Sequence, residues 1–182
     1  MFDSLEDYLA SYVKNSEALA GVPIPLVAEY LDVGHAAITQ QLRSGKLTEI
    51  RIGKTRLVSI ASLLDQKREK LAQKHKVQTL LETAAREGRT SIFYGEIMGP
   101  LEMSTGVPAH RTRIGQILGE ISEETSQNFG VLLSVLVHRS SAGRTKPGPG
   151  FFNLAEYLGY TWDDERDFIE QETQKVLMHY GV

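Results

Sequence analysis

The chain of 182 residues contains no cysteine. Disulfides, thiolate zinc sites and cysteine nucleophiles are therefore excluded, and a reducing, cytoplasmic setting is the expectation. No apolar run approaches the length of about 18 residues that a membrane span needs, so none is expected. The first ten residues lack the positive charge of a secretory signal and carry Asp3, Glu6 and Asp7 instead. Metal-binding patterns are missing too. Histidines 35, 75, 110, 138 and 179 show no ligand spacing and H-E-x-x-H is absent, so neither metal nor other cofactor is expected. The glycines at 143, 148 and 150 are followed by no G-K-S/T, which rules out a phosphate loop. No repeat of fixed period and no low-complexity segment occurs.

Net positive charge is also lacking, at −3 overall. Its distribution is uneven. Residues 1–42 hold one Lys or Arg against six acids (−5), residues 43–76 ten against three (+7), and residues 77–182 nine against fourteen (−5). Attraction to phosphate follows the local field more than the total. The basic stretch 67–76 reads equally well as a solvated helix face; the stretch 43–56 stands in a more telling pattern.

Phe2, Leu5, Leu9, Tyr12 and Val13 recur at helical spacing and predict a helix over 2–19, broken by Gly21, Pro23 and Pro25. A short helix is expected over 26–31, then a turn at 32–34 with Gly34 suited to a positive φ. A second helix follows over 35–43, with Ala37, Ile38 and Leu42 inward and Gly45 as its stop. The period then alternates. Leu47, Ile50 and Ile52, then Leu57, Val58 and Ile60, flank Gly53-Lys54-Thr55 and predict a β-hairpin. A long polar helix is expected over 62–87, with Gly88 as its stop. Lys67, Lys74 and Gln78 at seam positions break its heptads. Beyond residue 90 the pattern predicts helices over 94–101, 110–121, 151–158 and 163–180. It also predicts an apolar strand over 130–138 and a glycine- and proline-rich loop over 139–150. The acids at 163–165 suit a helix N-terminus.

A helix, a tight turn and a second helix place that second helix in the DNA major groove. Its outward residues here are His35, Thr39, Gln40 and Arg43, and Gln and Arg are the side chains that pair with adenine and guanine edges. The hairpin tip offers Arg51, Lys54, Thr55 and Arg56 to phosphates or the minor groove. The runs Val27-Ala28-Glu29-Tyr30-Leu31-Asp32-Val33, Leu42-Arg43-Ser44-Gly45-Lys46-Leu47 and Ile50-Arg51-Ile52-Gly53-Lys54-Thr55-Arg56 resemble the excisionase and MerR-like DNA-binding domains. The resemblance covers about a fifth of the chain and implies a winged helix-turn-helix over 25–64. It departs at Gly34-His35-Ala36, where that family commonly has a small hydroxyl residue. The competing reading is a winged helix used for protein contacts.

Further on, Phe93-Tyr94-Gly95-Glu96-Ile97-Met98, Arg113-Ile114-Gly115-Gln116-Ile117-Leu118, Val137-His138-Arg139 and the loop before Phe151 resemble the DNA-binding half of the O6-alkylguanine alkyltransferases and alkyltransferase-like proteins. Val137 stands where that family has its reactive cysteine, which excludes alkyl transfer by that route. Thr112 stands where the family's arginine belongs, between Arg111 and Arg113. The resemblance implies a second winged-helix-like domain, with Tyr94, Arg111, Thr112, Arg113, His138 and Arg139 as a second DNA-contact site for an extruded base.

The expected fold is α+β and mostly helical: an N-terminal helix over 1–24, a winged helix-turn-helix over 25–64, a linking or dimerising helix over 65–89 and a second α+β domain over 90–182. The expected function is non-enzymatic binding of double-stranded DNA, as a bacterial or phage transcription regulator or recombination accessory factor, with a homodimer suited to paired half-sites. Two other readings stand beside it. One is a DNA-damage or modified-base sensor. The other is a nucleic-acid-directed effector enzyme or toxin using His138 as a general base, with Tyr94 and Glu96 nearby.

Overall fold

The computed structural model describes Phe2 and residues 4–141 and 144–181, with the backbone alone at 17, 18, 140, 141 and 144. The chain is α+β and mostly helical, with two small sheets among the described residues. It divides into two units, Met1–Leu71 and Ala72–Val182.

In the first unit the expected helix over 2–19, whose Asp3 lies outside the described residues, is two helices. α1 (Leu5–Lys14) starts where the Ser4 hydroxyl accepts the Asp7 N–H at 3.1 Å, and it ends at Asn15. Asn15 leaves the helical conformation at φ −152°, and α2 (Ser16–Leu19) follows. Asparagine is a poor helix former because its amide competes for backbone groups. β1 (Gly21–Pro23) leads into α3 (Ile24–Tyr30) and α4 (His35–Arg43). The positive φ of the intervening turn falls on Asp32, at 51°, not on Gly34, which sits at φ −71° before α4. Aspartate tolerates this conformation because its short side chain bonds locally. Gly45, at φ 73°, ends the α4 turn as a glycine should.

β2 (Glu49–Ile52) and β3 (Thr55–Ser59) form the expected hairpin, with Gly53 and Lys54 between Ile52 and Thr55. β1 adds antiparallel to β3, giving the order β1-β3-β2. Phe2 bonds the open side of β2: its N–H donates to the Arg51 carbonyl at 2.9 Å and its carbonyl accepts from Gly53 at 3.0 Å. Val27, Ala28, Ile38, Leu47 and Val58 form the buried centre of this unit.

α5 (Ile60–Arg86) runs through the division between the units. Leu63 packs on the first core, whereas Val77, Leu81, Ala84 and Ala85 are buried in the second. The part expected as a linker thus supplies core residues to the second unit. That unit continues with β4 (Ile92–Phe93), α6 (Tyr94–Met98), α7 (Pro108–Phe129), β5 (Val137–Ser141), β6 (Arg144–Pro147), α8 (Pro149–Tyr157) and α9 (Glu165–Tyr180). Its sheet has the order β4-β5-β6, parallel in the first pair and antiparallel in the second.

Two expectations for this unit are corrected. The apolar run over 130–138 is not one strand; Leu133–Leu136 is a 3-10 turn and β5 begins only at Val137. Side chains satisfy part of its backbone in place of a ladder. The Ser122 hydroxyl accepts the Ser134 N–H at 3.1 Å, Thr125 donates to the Val131 carbonyl at 2.8 Å, and the buried Glu172 carboxylate accepts the Leu132 N–H at 3.4 Å. Burial on all sides removes the alternation that marks a strand. The expected loop over 139–150, whose Gly143 lies outside the described residues, contains the β5–β6 hairpin and opens α8 at Pro149.

Candidate functional site

α4 is held by one face. Ile38 is fully buried, and the Gln66 amide of α5 donates to the Gln41 side-chain oxygen at 2.9 Å. The helical period then puts the expected residues on the opposite face. His35, Gln40 and Arg43 are exposed, and Thr39 is half-buried, its hydroxyl donating to the His35 carbonyl at 3.0 Å. Four of the eight residues expected to contact DNA thus share one face of one helix.

The other four lie on the hairpin and differ in availability. Lys54 and Thr55 are exposed at its tip. Arg51 and Arg56 face each other across β2 and β3. Like charges directly opposite repel, and Glu49 pairs with Arg56 to relieve this. Arg51 is half-buried, with its Nε unpartnered among the described residues. The basic stretch narrows likewise. Lys74 pairs with Glu124, Lys76 donates to the Pro100 carbonyl and Arg68 pairs with Asp65. Arg43, Lys46, Lys54 and Lys67 are exposed and take part in no ion pair among the described residues.

The second unit carries a cleft of about 580 Å³, within which Tyr94, Arg111, His138 and Arg139 converge beside Phe93 and Gly150. The Arg111 guanidinium donates to the Thr105 carbonyl at 2.7 Å, which steadies it at the rim. A Cβ at Gly148 would stand 2.8 Å from the Arg139 Nε, so the absent side chain there admits the Arg139 guanidinium beside α8. The two other expected residues do not join the cleft. Thr112 is exposed and donates back to the Pro108 carbonyl at 3.2 Å. Arg113 turns away: its Nε donates to Gln73 at 3.1 Å and its Nη1 lies 3.9 Å from Glu120. Val137 is buried in the core.

His138 is 8% exposed, and neither ring nitrogen has a hydrogen-bond partner among the described residues. Burial pushes its pKa below the ordinary 6.5, opposed more weakly by the Val135 backbone. Glu96 does not orient it. That carboxylate accepts the Phe93 N–H at 2.8 Å and pairs with Arg89 at 2.7 Å, which together lower its pKa. The unfolded imidazole takes up a proton as pH falls through about 6.5, whereas the folded one does so only at lower pH. His138 therefore leaves stability intact above that value and reduces it below. Denaturant midpoints measured at about pH 7.5 and about pH 5.5 are expected to fall, and to fall less in His138→Gln. An equal fall in both proteins would contradict this.

The sequence left one further element of the site unread. The N-terminal half of α9 lines a separate cleft on which His138 also borders. Its only signal was the spacing of Phe168, Glu172, Thr173 and Val176, whose buried face includes an acid and a hydroxyl and so looks polar in sequence. Among the described residues no group of three or more acids and histidines is arranged to hold a metal ion, and no helix is long and apolar enough to cross a membrane. No family model, curated protein or solved structure matches this chain.

Proposed function

We propose that the chain is a non-enzymatic duplex-DNA-binding protein, a transcription regulator or recombination accessory factor of the bacterial or phage kind. In this reading residues 25–64 act as a winged helix-turn-helix similar to the excisionase and MerR-like domains. α4 enters the major groove and the β2–β3 tip meets the backbone. The observation that carries it is the exposure of His35, Gln40 and Arg43, with Thr39 half-buried among them, on a helix whose other face is fixed by Ile38. Pairing of two copies over paired half-sites belongs to the same reading.

The tip gives the test. Lys54→Ala is expected to weaken binding to all duplexes by a similar factor, about 3- to 10-fold at low salt, and to reduce the salt slope by about one. Fluorescence anisotropy on two unrelated duplexes reads both quantities. Loss confined to one duplex, or no loss, would count against the assignment.

A second reading is favoured by the cleft that gathers Tyr94, Arg111, His138 and Arg139. It is a sensor of modified bases, with an aromatic ring to stack on an extruded base and two guanidinium groups to steady the strand. The intact chain should then prefer duplex carrying an O6-alkylguanine over plain duplex, and Tyr94→Ala should remove the preference. Equal binding of both duplexes by the unaltered chain would rule this out.

A further inference from the structure

His138 borders two clefts of the second unit. One is the Tyr94 cleft. The other, about 870 Å³, lies against the N-terminal half of α9 and takes in Thr90, Ser91, Thr145 and Thr173. We propose that this second cleft is a binding site for a small zwitterion bearing one ammonium and one carboxylate group, a free α-amino acid or a dipeptide.

The charges decide the class of ligand. Three carboxylates line the cleft, Asp164, Glu165 and Glu170, against two cations, Lys146 and Arg166. That balance disfavours phosphate and the backbone of DNA. The N-terminus of α9 is not open to an anion either, because Asp164 already accepts the Arg166 and Asp167 N–H groups at 2.8 and 3.0 Å. Lys146 and Glu165 hold each other at 2.7 Å. What remains is one group of each sign, Arg166 and Glu170, which form no ion pair among the described residues. They stand four residues apart on one helix, neighbours on its surface. Arg166 suits a carboxylate and Glu170 an ammonium.

His138 supplies the second, independent observation. It is more than nine-tenths buried, yet both ring nitrogens lack partners among the described residues. A neutral imidazole offers one donor and one acceptor, and a zwitterion supplies the complement of either. The hydroxyls of Thr90, Ser91, Thr145 and Thr173 add neutral donors and acceptors around the same space. The inference does not depend on DNA binding by α4.

The test uses the full chain with ¹⁵N-labelled histidine. Glycine, the other proteinogenic amino acids in small pools, and Gly-Gly are titrated while the ring-nitrogen signals of His138 are followed. At least one zwitterion is expected to shift them with a Kd of about 1 mM or tighter. The N-acetyl and the amide derivatives of that ligand should each bind at least about tenfold more weakly, as should Glu170→Gln and Arg166→Gln, which alter exposed side chains and leave the core intact. Absence of any shift up to about 10 mM would overturn the proposal. So would binding that survives removal of either ligand charge, or a response to inorganic phosphate or glycerol in place of the zwitterions.

Discussion

A chain carrying Gln40→Ala together with Arg43→Ala is expected to bind its preferred duplex at least about 30-fold more weakly, because each lost paired contact to a base edge costs about 1–3 kcal/mol. Binding to unrelated duplex should weaken only a few-fold, through the loss of one positive charge. The contrast is what identifies base reading. Both side chains are exposed on α4 and alanine favours the helix, so the variant should fold as the parent does. The preferred duplex is obtained by selection from a random pool, and competition binding then compares it with a scrambled duplex. Equal weakening on both would move Gln40 and Arg43 from base edges to the backbone.

Ile38→Ala is expected to have an effect of similar size by a different route. The Ile38 side chain is fully buried against Val27, Ala28, Leu47 and Val58, a small core. Truncation there removes apolar contact and leaves a cavity, at a cost of about 2–5 kcal/mol. A unit of this size has a total stability of only about 4–11 kcal/mol. Hydrogen exchange should therefore show amide protection collapsing across α3, α4 and the β2–β3 hairpin, with duplex binding lost alongside. Amides of α7, whose Ile114, Ile117, Leu118 and Ile121 belong to the other core, should keep theirs. Uniform loss across both cores would show that the two do not unfold as separate units.

The first unit was the more legible in sequence, and the reason is local. Gly45 stops α4, and the alternation of Ile50, Ile52, Leu57 and Val58 sets the hairpin around Gly53 and Lys54. These signals act over a few residues. The exposed face of α4 follows directly from the helical period. The pairing of Arg56 with Glu49 was also within reach, since the hairpin register brings those strands together. The positive φ at Asp32 was not, because glycine is the stronger local candidate.

The second unit depends on contacts distant in sequence. The segment before β5 is a 3-10 turn because Ser122 and Thr125 on α7, and Glu172 on α9, satisfy its backbone. Nothing in the apolar run itself announces those partners. Arg113 is held by Gln73, forty residues away. His138 was singled out for lying at the end of an apolar run beside a glycine-rich segment. Its place between two clefts depends on α9, whose buried Glu172 and Thr173 disguise the packed face.

If α4 and the hairpin tip carry this chain to DNA, duplex binding must depend on salt. Affinity of the unaltered chain for a duplex is measured between about 50 mM and about 200 mM monovalent salt. Log K is expected to fall linearly with log salt, with a slope of about −0.9 for each phosphate neutralised. Four exposed cations, Arg43, Lys46, Lys54 and Lys67, then imply a slope of roughly −3 to −4 per chain. Binding that is absent throughout this range, or indifferent to salt, would contradict it.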